Sequence, residues 1–241
     1  MKLFDLHCDT IERMEELGEN MLTDKTQLSL KYLPQIEKWC QTFAIFIPDS
    51  KRGADAVSYY EQVLAYFHKM LDQHADIVEM ANTADDIRRI TGSKKCAALL
   101  SVEGGAVLDG KLENIEKLKK DGVKMMTLTW NFKNGLAEPN IVPGTDDMWP
   151  RPANTTGGLT EKGLEFVEEM QRLHMLVDVS HLSDAGIWDI LRVAKQPFVA
   201  SHSNARACCP HVRNLTDEML TAMGEKGCLI GLNYCASFLD T

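Results

Sequence analysis

Short apolar runs alternate with amphipathic segments along the whole chain, which is typical of parallel strands connected by helices. The apolar runs predict strands at residues 2–8, 40–47, 95–102, 123–129, 174–180, 197–202 and 227–233. Apolar residues at helical spacing predict helices at residues 54–75, 112–120, 160–173, 183–194 and 216–223. With 241 residues, the chain has about the length of one α/β barrel. We therefore expect a single domain over residues 1–241, a TIM-type (β/α)8 barrel that is incomplete because about seven strands are recognisable.

The composition restricts the kind of partner that the chain can bind. Its formal net charge of -9 opposes nonspecific binding to nucleic acid or to an anionic membrane, since both need a basic surface. No apolar stretch approaches the roughly 18 residues that span a bilayer. The seven cysteines contain no CxxC pair, which favours reduced thiols and a cytoplasmic protein. We expect a small-molecule or peptide ligand, no nucleic acid and no membrane.

Four predicted strand ends carry side chains that commonly bind metals. They are His7 with Asp9, Glu103 in Ser-Val-Glu-Gly-Gly, His181 in Val-Asp-Val-Ser-His and His202 in Ala-Ser-His-Ser. Because the carboxyl ends of barrel strands converge on one face, we expect these side chains to meet. Three imidazoles and two carboxylates are too many for one catalytic zinc that keeps an open position. They fit two divalent ions about 3.5 to 4 Å apart, with Glu103 as the bridging carboxylate.

Each of these residues also has an ordinary structural interpretation. A single histidine at a strand end is often a hydrogen-bonded core residue, and Glu103 before two glycines can be a solvated acid at a turn. Asp178 can tie down loop amides, and Arg213 can belong to an ion pair at a helix entry. The metal interpretation is favoured because five suitable ligands occur together at strand ends.

Several longer motifs resemble the membrane (renal) dipeptidase family of metallopeptidases, including its soluble bacterial members. The resemblance rests on residues 158–183, which end in Val-Asp-Val-Ser-His-Leu-Ser, and on Ala-Ser-His-Ser-Asn-Ala-Arg at 200–206 and Val-Arg-Asn-Leu-Thr at 212–216. Asp-Leu-His-Cys-Asp at 5–9, Glu-Gly-Gly at 103–105 and Thr-Leu-Thr at 127–129 occur in the matching order, so the resemblance covers essentially the whole chain. It implies a TIM-type barrel that hydrolyses dipeptides and tolerates a D residue at the carboxyl-terminal position.

The resemblance also assigns roles to individual residues. It implies two zinc ions, with His7 and Asp9 on one, His181 and His202 on the other, and Glu103 between them. Arg213 matches the family arginine that binds substrate near the metals.

The chain departs from the family pattern in two places. Family members commonly have a histidine after the Thr-Leu-Thr strand, whereas Trp130 and Asn131 follow it here. Either side chain can donate a hydrogen bond, so both are candidate substrate contacts. Relatives also continue to an eighth strand and to an aspartate that acts as general acid/base. We expect both to be absent from this chain, which ends at Thr241 and would be truncated relative to the family.

The sequence thus predicts a binuclear zinc dipeptidase that cleaves the peptide bond by a zinc-bridged hydroxide. Glu103 and Arg213 are the predicted catalytic residues, and the predicted cofactors are two Zn²⁺ ions per chain, which other divalent metals can replace. The expected partner is a dipeptide, and uncovered barrel edges would allow a homo-oligomer. Alternatives are another amidohydrolase-type barrel acting on N-acyl amino acids or lactones, and a noncatalytic metal-binding relative that lacks the late aspartate.

Overall fold

The computed structural model of the protein describes residues 1–141 and 152–240. The strands are β1 (Lys2–Asp5), β2 (Lys38–Phe46), β3 (Val78–Met80), β4 (Cys96–Glu103), β5 (Val123–Thr127), β6 (Leu176–Asp178), β7 (Val199–Ala200) and β8 (Leu229–Ile230). The α-helices are α1 (Ile11–Leu17), α2 (Ala54–Gln73), α3 (Ala84–Gly92), α4 (Glu113–Lys120), α5 (Glu161–Arg172), α6 (Asp184–Val193) and α7 (Asp217–Glu225). Short 3-10 helices occupy Leu30–Gln35, Gly105–Leu108 and Ala236–Phe238.

All strand pairs of the described chain are parallel and belong to one curled sheet in the order β1-β2-β4-β5-β6-β7-β8. The short strand β3 pairs with the amino-terminal half of β4, outside this order. Within the described residues, β1 and β8 do not pair with each other. The expected incomplete α/β barrel with seven main strands is therefore confirmed.

The core lies between this sheet and the surrounding helices. Strands β2 and β4 are buried along nearly their whole length, as expected for central strands of a parallel sheet covered on both faces. Helix α2 buries Tyr60, Val63 and Phe67, which recur at the spacing of one helical face. Most of the buried apolar side chains form one large cluster, and a second, small cluster joins α3 to β2 and β4 through Cys40, Ala81, Ile90 and Ala97.

The amino ends of the later helices are set by local side chains. Thr160, Ser183 and Thr216 each accept a hydrogen bond from a backbone N–H of the first helical turn, so α5, α6 and α7 begin where the sequence predicts. The pattern analysis missed α1, α3 and β3. Helix α3 had a local signal, because Thr83 and Asp86 form a reciprocal capping box at its start.

The chain after β8 comes very close to the chain after β1. A Cβ atom at Gly231 would lie 2.1 Å from the carbonyl oxygen of Ser201 and 3.2 Å from Cδ1 of Leu6. Only glycine fits this space without a shift of the backbone. The chain after β8 thus packs against the chain after β7 and lies near Leu6, which follows β1, although β1 and β8 share no strand pairing within residues 1–141 and 152–240.

No helix within residues 1–141 and 152–240 is both long and apolar enough to cross a membrane.

Candidate metal centre

The predicted ligands lie at the carboxyl ends of their strands, on one end of the sheet. His7 and Asp9 follow β1, Glu103 is the last residue of β4, His181 follows β6 and His202 follows β7. Four of these side chains are nearly buried, with exposed fractions of 4 to 11 %, whereas the side chain of Asp9 is 54 % exposed. Five residues from four distant segments of the chain are thus brought to one place.

The donor atoms form two groups that share the carboxylate of Glu103. On one side, Nε2 of His7 lies 3.1 Å from Oδ1 of Asp9 and 3.6 Å from Oε2 of Glu103. On the other side, Oε1 of Glu103 lies 2.8 Å from Nε2 of His181 and 3.4 Å from Nε2 of His202. Each oxygen of Glu103 therefore faces a different set of ligands, which is the arrangement of a bridging carboxylate.

The histidines of the second group are oriented by their other ring nitrogens. Nδ1 of His181 lies 2.9 Å from Oδ1 of Asn131, and Nδ1 of His202 lies 2.7 Å from Oγ of Ser201. Ser201 in turn donates its hydroxyl proton to Asp178. Because an amide oxygen only accepts, the contact with Asn131 favours a proton on Nδ1 of His181, and Ser201 favours the same tautomer of His202 when it donates to Asp178. Both Nε2 atoms then present lone pairs.

These two lone pairs face each other across a short distance. Nε2 of His181 and Nε2 of His202 are 2.9 Å apart. Two acceptor nitrogens at this separation repel each other unless a cation or a proton lies between them. Together with the nitrogen and oxygen donors around Glu103, this contact shows that the residues fit divalent metal ions of the kind that imidazole and carboxylate bind. A compact subset, His7, Glu103 and His202, has its ligand atoms within 4.8 Å of one another.

In the protein without metal ions, burial and neighbouring charges shift the pKa values of the candidate ligands. Burial raises the pKa of Glu103 to about 8. Burial by itself would lower the pKa of His7, but the carboxylates of Glu103 and Asp9 outweigh it and raise that pKa to about 10. Burial lowers the pKa values of His181 and His202 well below the ordinary value, so both rings are neutral and available as ligands.

Arg213 lies beside this cluster as a buried cation. Its side chain is 4 % exposed, and burial lowers its pKa to about 10. Nη2 donates to the carbonyl of His202 at 3.4 Å, while Nε has no hydrogen-bond partner. No carboxylate of the described residues forms an ion pair with it. A buried guanidinium with an unused donor is suited to binding an anionic group of a ligand.

The cluster and Arg213 line a cavity of about 1120 Å³. Trp130 and Asn131 also line it. Trp130 packs edge-on against Phe46, with ring centroids 4.9 Å apart, whereas Asn131 is engaged with His181. Trp130 is thus placed to contact a ligand. The amide oxygen of Asn131 contacts the candidate metal ligand His181, and its predicted role as a substrate contact stays a prediction.

Sequence reasoning missed the relay from Asp178 through Ser201 to His202. Asp178 also accepts hydrogen bonds from the backbone N–H groups of Ser180 and Ser201, at 3.0 and 2.9 Å, so it ties down loop amides as well as supporting a ligand. The one available signal was the position of Ser201 directly before His202. That signal is weak because the contact depends on how β6 and β7 are paired.

Fold and site together define a class of protein: an incomplete α/β barrel that carries a cluster of candidate metal ligands at the carboxyl ends of its strands. The chain matches the membrane dipeptidase family, peptidase family M19, over residues 1–241. It belongs to this family.

Comparisons with individual proteins agree with the family assignment. Mouse dipeptidase 3 is 29% identical over 251 residues, covering 99% of this chain and 49% of that protein. The crystal structure of the dipeptidase AC, a metallo peptidase of family M19, superposes with a TM-score of 0.86 at 26% identity, covering 99% of this chain and 74% of that one.

A metallo peptidase from Rhodobacter sphaeroides, solved with a phosphinate mimic of the dipeptide L-Ala-D-Ala, shares the fold. Its TM-score is 0.86 at 23% identity, with 100% of this chain and 76% of that chain covered. The chain spans 66%, 52% and 49% of the lengths of curated relatives from Klebsiella pneumoniae, Acinetobacter calcoaceticus and mouse.

Proposed function

We propose that the protein is a dipeptidase that works with two zinc ions, one held by His7 and Asp9, the other by His181 and His202, and both by Glu103. The observation that carries this proposal is the division of donor atoms between the two oxygens of Glu103. A single ion held by one group, or by the compact subset His7, Glu103 and His202, would leave other predicted ligands unused. Bound zinc ions would polarise the scissile carbonyl and lower the pKa of a coordinated water.

The protein's own groups would bind and orient the substrate. The guanidinium of Arg213 lacks a carboxylate partner in the described chain. It would bind the free carboxylate of a dipeptide by donating charge-assisted hydrogen bonds to it. Asn131 and Ser201 would keep the Nε2 atoms of His181 and His202 unprotonated. Trp130, which lines the cavity and packs edge-on against Phe46, would form an apolar wall beside the bound peptide and exclude water from it.

The proposed substrates are dipeptides with a free carboxyl terminus, including those with a D residue there. A free carboxylate is part of the proposal because Arg213 is a buried cation of the cavity without a carboxylate partner in the described chain. The D residue follows from the family resemblance and from the ligand of the Rhodobacter sphaeroides relative, which mimics L-Ala-D-Ala. Activity toward L-Ala-L-Ala and L-Ala-D-Ala, measured side by side, tests this part of the proposal.

A combined metal and activity measurement tests the whole proposal. Protein that has been treated with a chelator is titrated with zinc, the bound metal is counted by elemental analysis, and hydrolysis of both dipeptides is followed by release of alanine. We expect two zinc ions per chain and activity that rises with the second ion. Glu103→Gln should lose most of the activity, while Glu168→Gln, on the exposed outer face of α5, should not change it. One ion per chain, or two ions without hydrolysis, would contradict the proposal.

A further inference from the structure

The side chain of Arg206 forms hydrogen bonds with the backbone on both sides of Arg213. Nη2 of Arg206 donates to the carbonyl of Val212 at 3.1 Å, and Nε of Arg206 donates to the carbonyl of Asn214 at 2.9 Å. These two carbonyls directly precede and follow Arg213 in sequence. The guanidinium of Arg206 therefore holds the segment that carries Arg213 from both ends.

Arg206 is itself held by a fork-to-fork ion pair. Its Nη1 and Nη2 atoms donate to Oδ2 and Oδ1 of Asp184, each at 2.7 Å. Asp184 is the first residue of α6 and is 5 % exposed. Such bidentate geometry fixes the plane of a guanidinium, and a lysine cannot reproduce it because its ammonium is a single point.

Asn140 extends the same network to the segments before α5. Its Nδ2 donates to the carbonyl of Val212 at 2.9 Å and to Oδ1 of Asp184 at 2.8 Å, and its Oδ1 accepts the backbone N–H of Asn154 at 2.9 Å. Three separate parts of the chain are thus bonded to one another around the carbonyl of Val212. The carbonyl oxygen of Val212 accepts two hydrogen bonds, one from Asn140 and one from Arg206.

The guanidinium of Arg213 has few polar contacts within the described residues, although it lies over the ring of Phe238, 5.6 Å from the centroid. Its one side-chain hydrogen bond, to the carbonyl of His202, is long at 3.4 Å, and its Nε is unbonded. Because these polar contacts are weak, the positions at which Val212 and Asn214 hold the main chain help to set the direction of the guanidinium.

We propose that Arg206, locked by Asp184, is a positioning residue that aims Arg213 at the carboxylate of the substrate. This inference rests on the proposed function, in which Arg213 binds that carboxylate. It assigns a role in substrate recognition to a residue that the sequence analysis did not select.

The first experiment compares two substrates that differ only at the group that Arg213 would bind. Hydrolysis of L-Ala-L-Ala and of its carboxyl-terminal amide is measured for the wild-type protein and for Arg206→Lys, Arg206→Met and Asp184→Asn. We expect Arg206→Met to raise KM for the dipeptide by about tenfold or more while the KM for the amide changes by less than about twofold. Arg206→Lys should give a smaller change in the same direction, because it keeps the charge and loses the fork. Should Arg206→Met fail to fold, Asp184→Asn carries the test with the same expected pattern.

Two further variants separate positioning from general destabilisation. Arg172→Met removes a bidentate pair of the same kind, to Glu169 on the outer face of α5, and should leave both KM values unchanged. In an Arg213→Ala background, Arg206→Met should have no further effect on the preference for the carboxylate. The proposal would be overturned if Arg206→Met raised KM equally for the dipeptide and for its amide. It would also be overturned if the effects of Arg206→Met and Arg213→Ala on the preference for the carboxylate were additive.

A spectroscopic measurement tests the positioning independently of catalysis. In arginine-labelled ¹⁵N protein, the Nε–H resonance of Arg213 is identified by its loss in Arg213→Lys. It should shift or broaden in Arg206→Met and stay in place in Arg172→Met. An unchanged resonance in Arg206→Met would refute the positioning role even if the wild-type protein hydrolyses dipeptides. A protein without dipeptidase activity would refute the proposed function, and the same spectra would still decide whether Arg206 places Arg213.

Discussion

Hydrogen bonds behind the histidines determine which ring nitrogen can bind a metal. His202 depends on Ser201, whose hydroxyl lies between Nδ1 of the ring and the carboxylate of Asp178. Partners of this kind raise the basicity of a ligand and fix its orientation. The serine is therefore as much a part of the candidate metal centre as the ring that it supports.

Replacing Ser201 by alanine should weaken zinc binding without unfolding the protein. We expect a loss of about tenfold to a hundredfold in affinity for the more weakly held ion, because Nδ1 of His202 would lose its partner. Competition with a chromophoric chelator measures the dissociation constants. Ser93→Ala is the matched control, since Oγ of Ser93 bonds only to a carbonyl at the end of α3. Identical affinities in the wild-type and Ser201→Ala proteins would contradict the role of the hydroxyl.

Glu12 is a buried acid outside the ligand set. One carboxylate oxygen accepts the backbone N–H of Phe46, and the other, Oε2, has no partner. Burial raises the pKa of Glu12 to about 8. The folded protein therefore binds a proton that the unfolded chain releases near pH 4.3, roughly the ordinary value for glutamate. Its contribution to stability is largest at low pH and is lost as the pH rises toward 8.

Glu12→Gln should remove this pH dependence, because the amide keeps an oxygen for the N–H of Phe46 and cannot ionise. In chelator-treated protein we expect Glu12→Gln to raise the Tm above that of the wild type at pH 8, with the difference shrinking toward pH 5. Each unit of pKa shift corresponds to about 1.4 kcal/mol, and each kcal/mol to roughly 2–4 °C in a chain of this size. Thermal unfolding at several pH values measures the effect. A difference that is constant with pH would disprove the assignment.

At the scale of elements, α5 is docked against the loop before it through a glycine. A Cβ atom on Gly163 would lie 2.1 Å from the carbonyl oxygen of Leu136. The first turn of the helix can approach this carbonyl only because the residue has no side chain. By contrast, a Cβ atom on Gly224 in α7 would meet nothing within 4 Å.

These two glycines should respond oppositely to alanine. We expect Gly163→Ala to destabilise the protein by about 1–3 kcal/mol because the helix must move away from Leu136. Gly224→Ala should be neutral or stabilise by up to roughly 1 kcal/mol, since alanine reduces the entropy of the unfolded chain and prefers the helix. Urea unfolding monitored by circular dichroism compares the two free energies of unfolding. Equal effects of the two substitutions would argue against the close docking of α5.

The sequence predicted most of the elements, for identifiable reasons. Apolar runs located the seven main strands, and capping residues located α5, α6 and α7, because these signals are local. Strand β3 was missed because it has only three residues and pairs at the margin of the sheet. Helix α1 was missed because its seven residues are too few to show a clear period.

The candidate site was predictable only where its residues sit at strand ends. His7, Glu103 and His202 could be grouped from sequence, since every parallel barrel brings those ends together. The contact of Asn131 with His181 could not, because it depends on the path of the chain after β5. The bonds of Arg206 to the carbonyls around Arg213 were equally hidden, since they depend on the folding of a loop rather than on a periodic pattern.

At the scale of the whole molecule, the candidate centre draws its ligands from the two sides of the curled sheet. His7 and Asp9 follow β1, an edge strand, and His202 follows β7, which pairs with the other edge strand, β8. Ions held among these residues would connect parts of the sheet that strand pairing leaves separate. Metal binding should therefore stabilise the folded chain as a whole.

Removal of metal should lower the stability of the entire protein. At a zinc concentration about 100-fold above the dissociation constant, binding adds about 2.7 kcal/mol per site, or roughly 5–10 °C in Tm. Thermal unfolding with zinc and with excess chelator measures this shift, and hydrogen exchange should show the largest change in β1 and β8. Glu103→Gln should respond much less to zinc, because both groups of ligands share its carboxylate. A Tm that is insensitive to chelation would contradict a centre that joins the two edges.

The backbone at His181 shows what holding such a ligand requires. Its φ angle of 71° lies in the left-handed region, which disfavours side chains with a Cβ atom by about 1–2 kcal/mol. A glycine or an asparagine would adopt this turn more easily, so conformational preference alone would select a different residue at the end of β6. The imidazole at this corner therefore occupies a backbone conformation that its own residue type disfavours. Among the five candidate ligands, His181 is the one in the left-handed region. A sequence selected only for folding would therefore first differ at this position from a sequence that is also selected for its chemistry.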